Sequence, residues 1–70
     1  MPTPKPPSKE KVLADNPHFI GEDMTVRRFS TAGGHICCDI ECLADWPTGE
    51  RKPAMASYQY FNNHWVLIAN

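Results

Sequence analysis

Between Gly34 and Ala44 the chain reads His-Ile-Cys-Cys-Asp-Ile-Glu-Cys-Leu. Ile36, Cys38, Ile40 and Cys42 share one parity; His35, Cys37, Asp39 and Glu41 share the other. Successive side chains of a strand point to opposite faces, so this alternation specifies a strand with one dry face and one largely wet face. A helix over the same residues would need apolar positions three and four apart, and the two acids would interrupt its buried stripe.

The neighbouring segments extend this strand into a sheet. Upstream, Met24, Val26 and Phe29 change parity across Arg27-Arg28, which a one-residue bulge at the arginines would repair. Gly33-Gly34 supplies the two positive φ values of a tight hairpin, setting Thr31 opposite Ile36 and Phe29 opposite Cys38. Arg27 and Arg28 then fall near Glu41 and Asp39, so opposite charges support the register. Downstream, Asn62-Asn63 is a second two-residue turn, because Asn tolerates left-handed φ. That turn pairs Tyr60 with Trp65, Tyr58 with Leu67 and Ala56 with Ala69 on one face. Trp65 to Ala69 is apolar in both parities, as in a strand covered on both sides. Ala44 to Pro53 between the hairpins is expected to be a loop, with Trp46-Pro47-Thr48-Gly49 as its turn and Glu50-Arg51-Lys52 solvated.

Ser8 is placed to cap a helix over Lys9 to Asp15, and Asn16-Pro17 stops it, because the residue before proline avoids the α region. Phe19 and Ile20 follow in a connection and are expected to plug one edge of the core. Residues 1–7 include four prolines; they read as a disordered, solvated tail outside a single domain over 8–70. The fold class is therefore α+β, mainly β: a short N-terminal helix and a four-stranded antiparallel meander of two hairpins.

Seventy residues bury only about 60% of the surface that their unfolded chain exposes, so a partner, a metal or a disulfide is a common staple at this size. Three cysteines and an opening without an apolar leader point to a cytoplasmic protein with reduced thiols. No stretch is long and apolar enough to span a membrane. A net charge of −1 gives no overall field towards nucleic acid or anionic lipid.

Four groups of residues invite a chemical reading. His35, Cys37, Cys38 and Cys42 are zinc-type ligands, but a strand sends them to opposite faces, and the tight Cys-x-x-Cys knuckle of structural zinc is absent. Cys37 beside His35 has the elements of a thiolate–imidazolium nucleophile without a cleft or orienting group. Asp39 and Glu41, roughly 7 Å apart by strand rise, match an inverting glycosidase spacing; pairing with Arg27 and Arg28 explains them more simply. Tyr58, Tyr60, Phe61, Trp65 and Trp46 beside Arg27, Arg28, Arg51 and Lys52 could stack single-stranded nucleic acid if the rings were exposed. No catalytic residue, metal or cofactor is expected from these patterns.

What remains is a non-catalytic protein-binding module. A tryptophan in a turn is costly to expose: it either folds back as a lid or anchors a partner, and Trp46, Arg51 and Lys52 share one loop, with Arg27 and Arg28 as further contacts. Such a chain reads as an inhibitor of the kind phages and mobile elements make, a small subunit of an assembly, or a homodimer joined at an edge strand or the Trp46 loop. A single-stranded nucleic-acid-binding β domain is the alternative, and a zinc- or thiol-dependent site on the Cys/His strand the third reading.

Overall fold

In the computed structural model the described residues are 4–70, the side chain of Ala32 excepted. Helix α1 (Lys9–Asp15) is followed by β1 (Thr25–Ala32), β2 (His35–Asp45), β3 (Arg51–Phe61) and β4 (His64–Ala69). The strands form one antiparallel sheet in the order β1-β2-β3-β4, a meander. No helix among the described residues is long and apolar enough to cross a membrane.

Local chemistry sets each boundary. Ser8 accepts a hydrogen bond from the Lys11 N–H at 3.2 Å, the N-cap bond that satisfies an orphan helix donor. Asn16 leaves the helix with φ −128° and ψ 80°, the extended bias imposed by Pro17. Gly33 and Gly34 have φ of +60° and +82°, and Asn62 and Asn63 of +53° and +67°; both pairs meet the positive φ that a tight hairpin turn demands. The β1–β2 register slips between Val26 and Arg28, Arg27 being the extra residue, and Phe29 then faces Cys38. The bulge returns Val26 and Phe29 to one side of the sheet.

One face of the sheet carries the core. Cys38, Ile40, Cys42 and Ala44 of β2, Ala54, Ala56 and Tyr58 of β3, and Trp65 of β4 are buried there with Val12 of α1 and Phe19. The alanines and cysteines are small, which leaves depth on this side for the helix and the Phe19 loop. The loop also lengthens the sheet: Ile20 N–H donates to Leu43 at 3.0 Å, and Asp45 N–H to His18 at 2.8 Å. The expected plug at Phe19 is therefore hydrogen-bonded to the end of β2 as well as buried. At the other end, Trp65 meets Tyr60 edge-on at 5.0 Å between ring centroids and Phe29 at 6.2 Å. Phe29 and Trp65 lie on the two outer strands, so this face is bridged from edge to edge by aromatic rings.

Two expectations need correction. Ala44 to Pro53 is not all loop: β2 runs to Asp45 and β3 starts at Arg51. The parity of β2 continues to Ala44, and Arg51 pairs with Asp45 across the hairpin at 3.0 Å, so the ladder is held to its last rung. Ala69 faces Ser57 rather than Ala56, because the β3–β4 register shifts between Ser57 and Tyr58 and leaves Ile68 as an extra residue. Of the proline-rich segment, residues 1–3 lie outside the described residues, but Pro7 is buried and the Lys5 carbonyl accepts the Trp65 indole N–H at 2.7 Å. A buried indole requires an acceptor, and the segment before the helix provides it.

Candidate functional site

The core-forming parity leaves the other side of the sheet uncovered. Across that open face, His35 stands by Phe61, with ring centroids 5.7 Å apart, and Phe61 pairs with His64. The next row holds Ser30, Cys37, Gln59 and Val66. Arg28, Asp39, Ser57 and Ala69 follow, then Glu41 and Met55. Charge gathers at the β1–β2 half. Arg28 reaches Asp39 at 3.5 Å and Arg27 reaches Glu41 at 3.9 Å, while Ser57 donates to the same Asp39 at 2.8 Å. Both acids are occupied by arginines, as the register implies. A shallow cleft of about 360 Å³ opens beside them, lined by Asp23, Thr25, Glu41, Cys42, Leu43 and Pro53. No imidazole lines it to activate Cys42, whose thiol donates to the Glu22 carbonyl at 3.5 Å.

Trp46, Arg51 and Lys52 come together at the β2–β3 turn. Trp46 N–H donates to Glu50 and Gly49 N–H to Trp46, both at 2.9 Å, and Gly49 takes φ +89°, a conformation suited to glycine. The Trp46 ring does not close over the core. It stays 37% exposed, its indole N–H donates to the Lys52 carbonyl at 3.1 Å, and the Lys52 ammonium lies 5.0 Å from the ring centroid. The ring is thus held on its own hairpin by a hydrogen bond and a cation–π contact. Arg27 and Arg28 are not part of this cluster. Asp39, the partner of Arg28, and Glu41, the partner of Arg27, are six and four residues from Asp45 on β2, roughly 20 and roughly 13 Å by strand rise.

The strand separates the four cysteine and histidine side chains as its alternation requires: Cys38 and Cys42 are buried on the helix side, with His35 and Cys37 opposite. Among the described residues no three His, Cys, Asp or Glu side chains converge in a metal-binding group. Tyr58 and Trp65 are buried and Tyr60 is partly buried in the core. Of the rings considered for base stacking, Phe61 and Trp46 are the exposed ones.

Two features were missed from sequence. One is Met55 and Phe61, 44 and 55% exposed, which extend an apolar surface with Val66 and Ile68; those two, expected to be covered, are 40 and 53% exposed because β4 is an edge strand. The parity of Met55 and Phe61, opposite to that of Tyr58, was the available signal. The other is a buried polar cluster. Asn16 donates to the Val12 carbonyl at 2.8 Å and to the Tyr58 hydroxyl at 3.2 Å, and accepts from Asn70 at 2.8 Å; Tyr58 donates to Asp15 at 2.9 Å.

Burial, joined by the bond to Asp15, raises the Tyr58 phenol well above its ordinary value of 10.0. Burial and then the charge of Asp39 raise the Cys38 thiol above 9.0. Both groups hold their protons more tightly folded than unfolded. Their contribution is complete below the unfolded-state values and falls as pH rises through the folded ones. In chemical denaturation these two groups are expected to add no pH dependence up to about pH 9, then a decline approaching about 1.4 kcal/mol per pH unit for each group. Cys38→Ser is expected to delay its onset, and an unchanged profile in that variant would reject the assignment.

Comparison with known protein families, with curated proteins and with solved structures finds no match to the chain.

Proposed function

We propose that this chain is a non-catalytic protein-binding module that works by occupying a partner's surface, with the Trp46 hairpin tip as its anchor. The observation that carries the reading is the held, exposed indole. Trp46 has its N–H satisfied and its ring steadied by Lys52, so little freedom is lost when a partner covers it. Pre-ordered aromatic and arginine side chains at a protruding turn are the usual centre of a binding hot spot. Arg51, tied to Asp45, together with Lys52 and Glu50 gives the tip a rim of both charges, which favours a partner with an apolar pocket edged by polar groups. An inhibitor and a small subunit of a larger assembly both fit this mode.

The test is capture from the native host with the full chain, repeated with Trp46→Ala and Arg51→Ala, each checked for unchanged circular dichroism. One protein should be recovered stoichiometrically. Trp46→Ala should weaken its direct binding by about 30-fold, the scale of a 2 kcal/mol hot spot, and Arg51→Ala by less. Retention of the partner by Trp46→Ala would remove the tip from the interface. Recovery of single-stranded nucleic acid alone, weakening steeply with salt, would replace the proposal with a nucleic-acid-binding β domain.

A further inference from the structure

A strand at a sheet's edge presents unpaired N–H and C=O groups, and soluble proteins normally protect it with charge, proline or a bulge. The two edges of this sheet differ in that respect. β1 carries Arg27 and Arg28 and a bulge in its first half. β4 reads His-Trp-Val-Leu-Ile-Ala, with no Lys, Arg, Asp, Glu or Pro. Its register is regular from His64 to Leu67, the irregularity lying beyond Leu67. Among the described residues β4 makes no backbone–backbone hydrogen bond except to β3. Beside this bare rail lie the exposed side chains of Phe61, Val66 and Ile68.

We propose that β4 pairs antiparallel with β4 of a second copy of this chain, joining two four-stranded sheets into one of eight. Parity requires an axis through a residue, and Val66 is the exposed large apolar residue of the regular stretch. Opposite residues must share a face, and a two-fold axis at Val66 sets Val66 against Val66 of the other copy, Trp65 against Leu67, and His64 against Ile68. The open face then gains a Val–Val and Ile contact beside Phe61. On the core face each partly buried Leu67 comes opposite a Trp65 already buried in its own chain, repeating across the junction the aromatic–aliphatic pairing of Tyr58 with Leu67 inside each copy. Charge favours self-pairing at this edge. No Lys, Arg, Asp or Glu of β4 opposes its own image, whereas β1 carries Arg27 and Arg28 along its first half. With a net charge of −1 per chain, two copies approach without strong repulsion. The interface is isologous and closes on itself, so the assembly stops at two. It leaves the Trp46 tip free, so it stands or falls separately from the partner-binding proposal.

The test places like and unlike charges at the axis. Val66 is exposed in the single chain, so Val66→Lys and Val66→Glu leave the fold intact by circular dichroism. Sedimentation velocity over about 100 to about 1 μM, the range of a modest contact, should show the unaltered chain at twice the monomer mass at the high end. Each variant alone should be monomeric, and their equimolar mixture should return to the double mass. Ser30→Lys, which puts the same charge on β1, should stay dimeric. A monomeric unaltered chain at every concentration, a Val66→Lys variant that still dimerises, or a mixture that stays monomeric would each overturn the proposal. So would a monomer that binds a foreign protein through Val66, which would assign the edge to another protein's strand.

Discussion

Trp65→Ala is expected to remove a large part of the chain's stability at 25 °C. The indole is buried, meets Tyr60 and Phe29, and has its N–H bonded to Lys5. Truncating a buried tryptophan costs about 3–5 kcal/mol, while a domain of this length has roughly 3.5–10 kcal/mol in total. With a urea slope of about 1 kcal/mol per molar, the midpoint should fall by about 3 M or more, and near-ultraviolet circular dichroism should report the same fall. Trp65→Phe separates the two contributions. It keeps a ring against Tyr60 and orphans only the Lys5 carbonyl, so its loss should be nearer 1–2 kcal/mol. A midpoint for Trp65→Ala within 0.5 M of the unaltered chain, well inside the about 3 M expected from the urea slope, would mean that this ring does not close the core.

Asn16→Ala ranks second, at about 2–4 kcal/mol. The side chain makes three hydrogen bonds, to Val12, Tyr58 and Asn70, each worth about 0.5–1.5 kcal/mol net, with a further penalty where a buried partner is left unmatched. Asn16→Asp should be no milder. A carboxylate still accepts from Asn70 but cannot donate to the Val12 carbonyl or the Tyr58 oxygen, and it introduces a buried charge. Tyr58→Phe should cost less, and the double variant should fall short of the sum by at least about 0.5 kcal/mol, because the two side chains share a bond. Strict additivity in denaturant titrations would contradict the bond between them.

The contrast between these two residues explains what was readable in the sequence. Period-two alternation, a glycine pair and an asparagine pair were enough to set the β1–β2 register, locate the bulge at Arg27-Arg28 and orient Trp65. Each of those decisions is local and leaves a mark within a few letters. The shift at Ile68 left none, because Trp65 to Ala69 is apolar in both parities and either register buries something. The true length of the central hairpin was hidden by Glu50-Arg51-Lys52, a charged run that resembles solvated loop although Arg51 and Lys52 sit on β3. Asn16 read only as a helix stop before proline. That its amide is buried depends on Tyr58 and Asn70, 42 and 54 residues away, and no local pattern encodes such a meeting. At the candidate site, the grouping of Trp46 with Arg51 and Lys52 was legible because one short turn holds all three. The separation of Arg27 and Arg28 from that group was not, since it follows from the length of β2.

The distance in sequence between Asn16 and its partners also bears on how the protein is made. A ribosome delivers α1 early, yet the side chains that fasten it to the sheet emerge only with Tyr58 and, last, Asn70. A seven-residue helix is not stable in water alone, so the first-made element should be the last to settle. Nascent chains arrested short of residue 58 should therefore show an amino-terminal region open to proteases, and that region should become resistant in one step once residue 70 clears the exit tunnel.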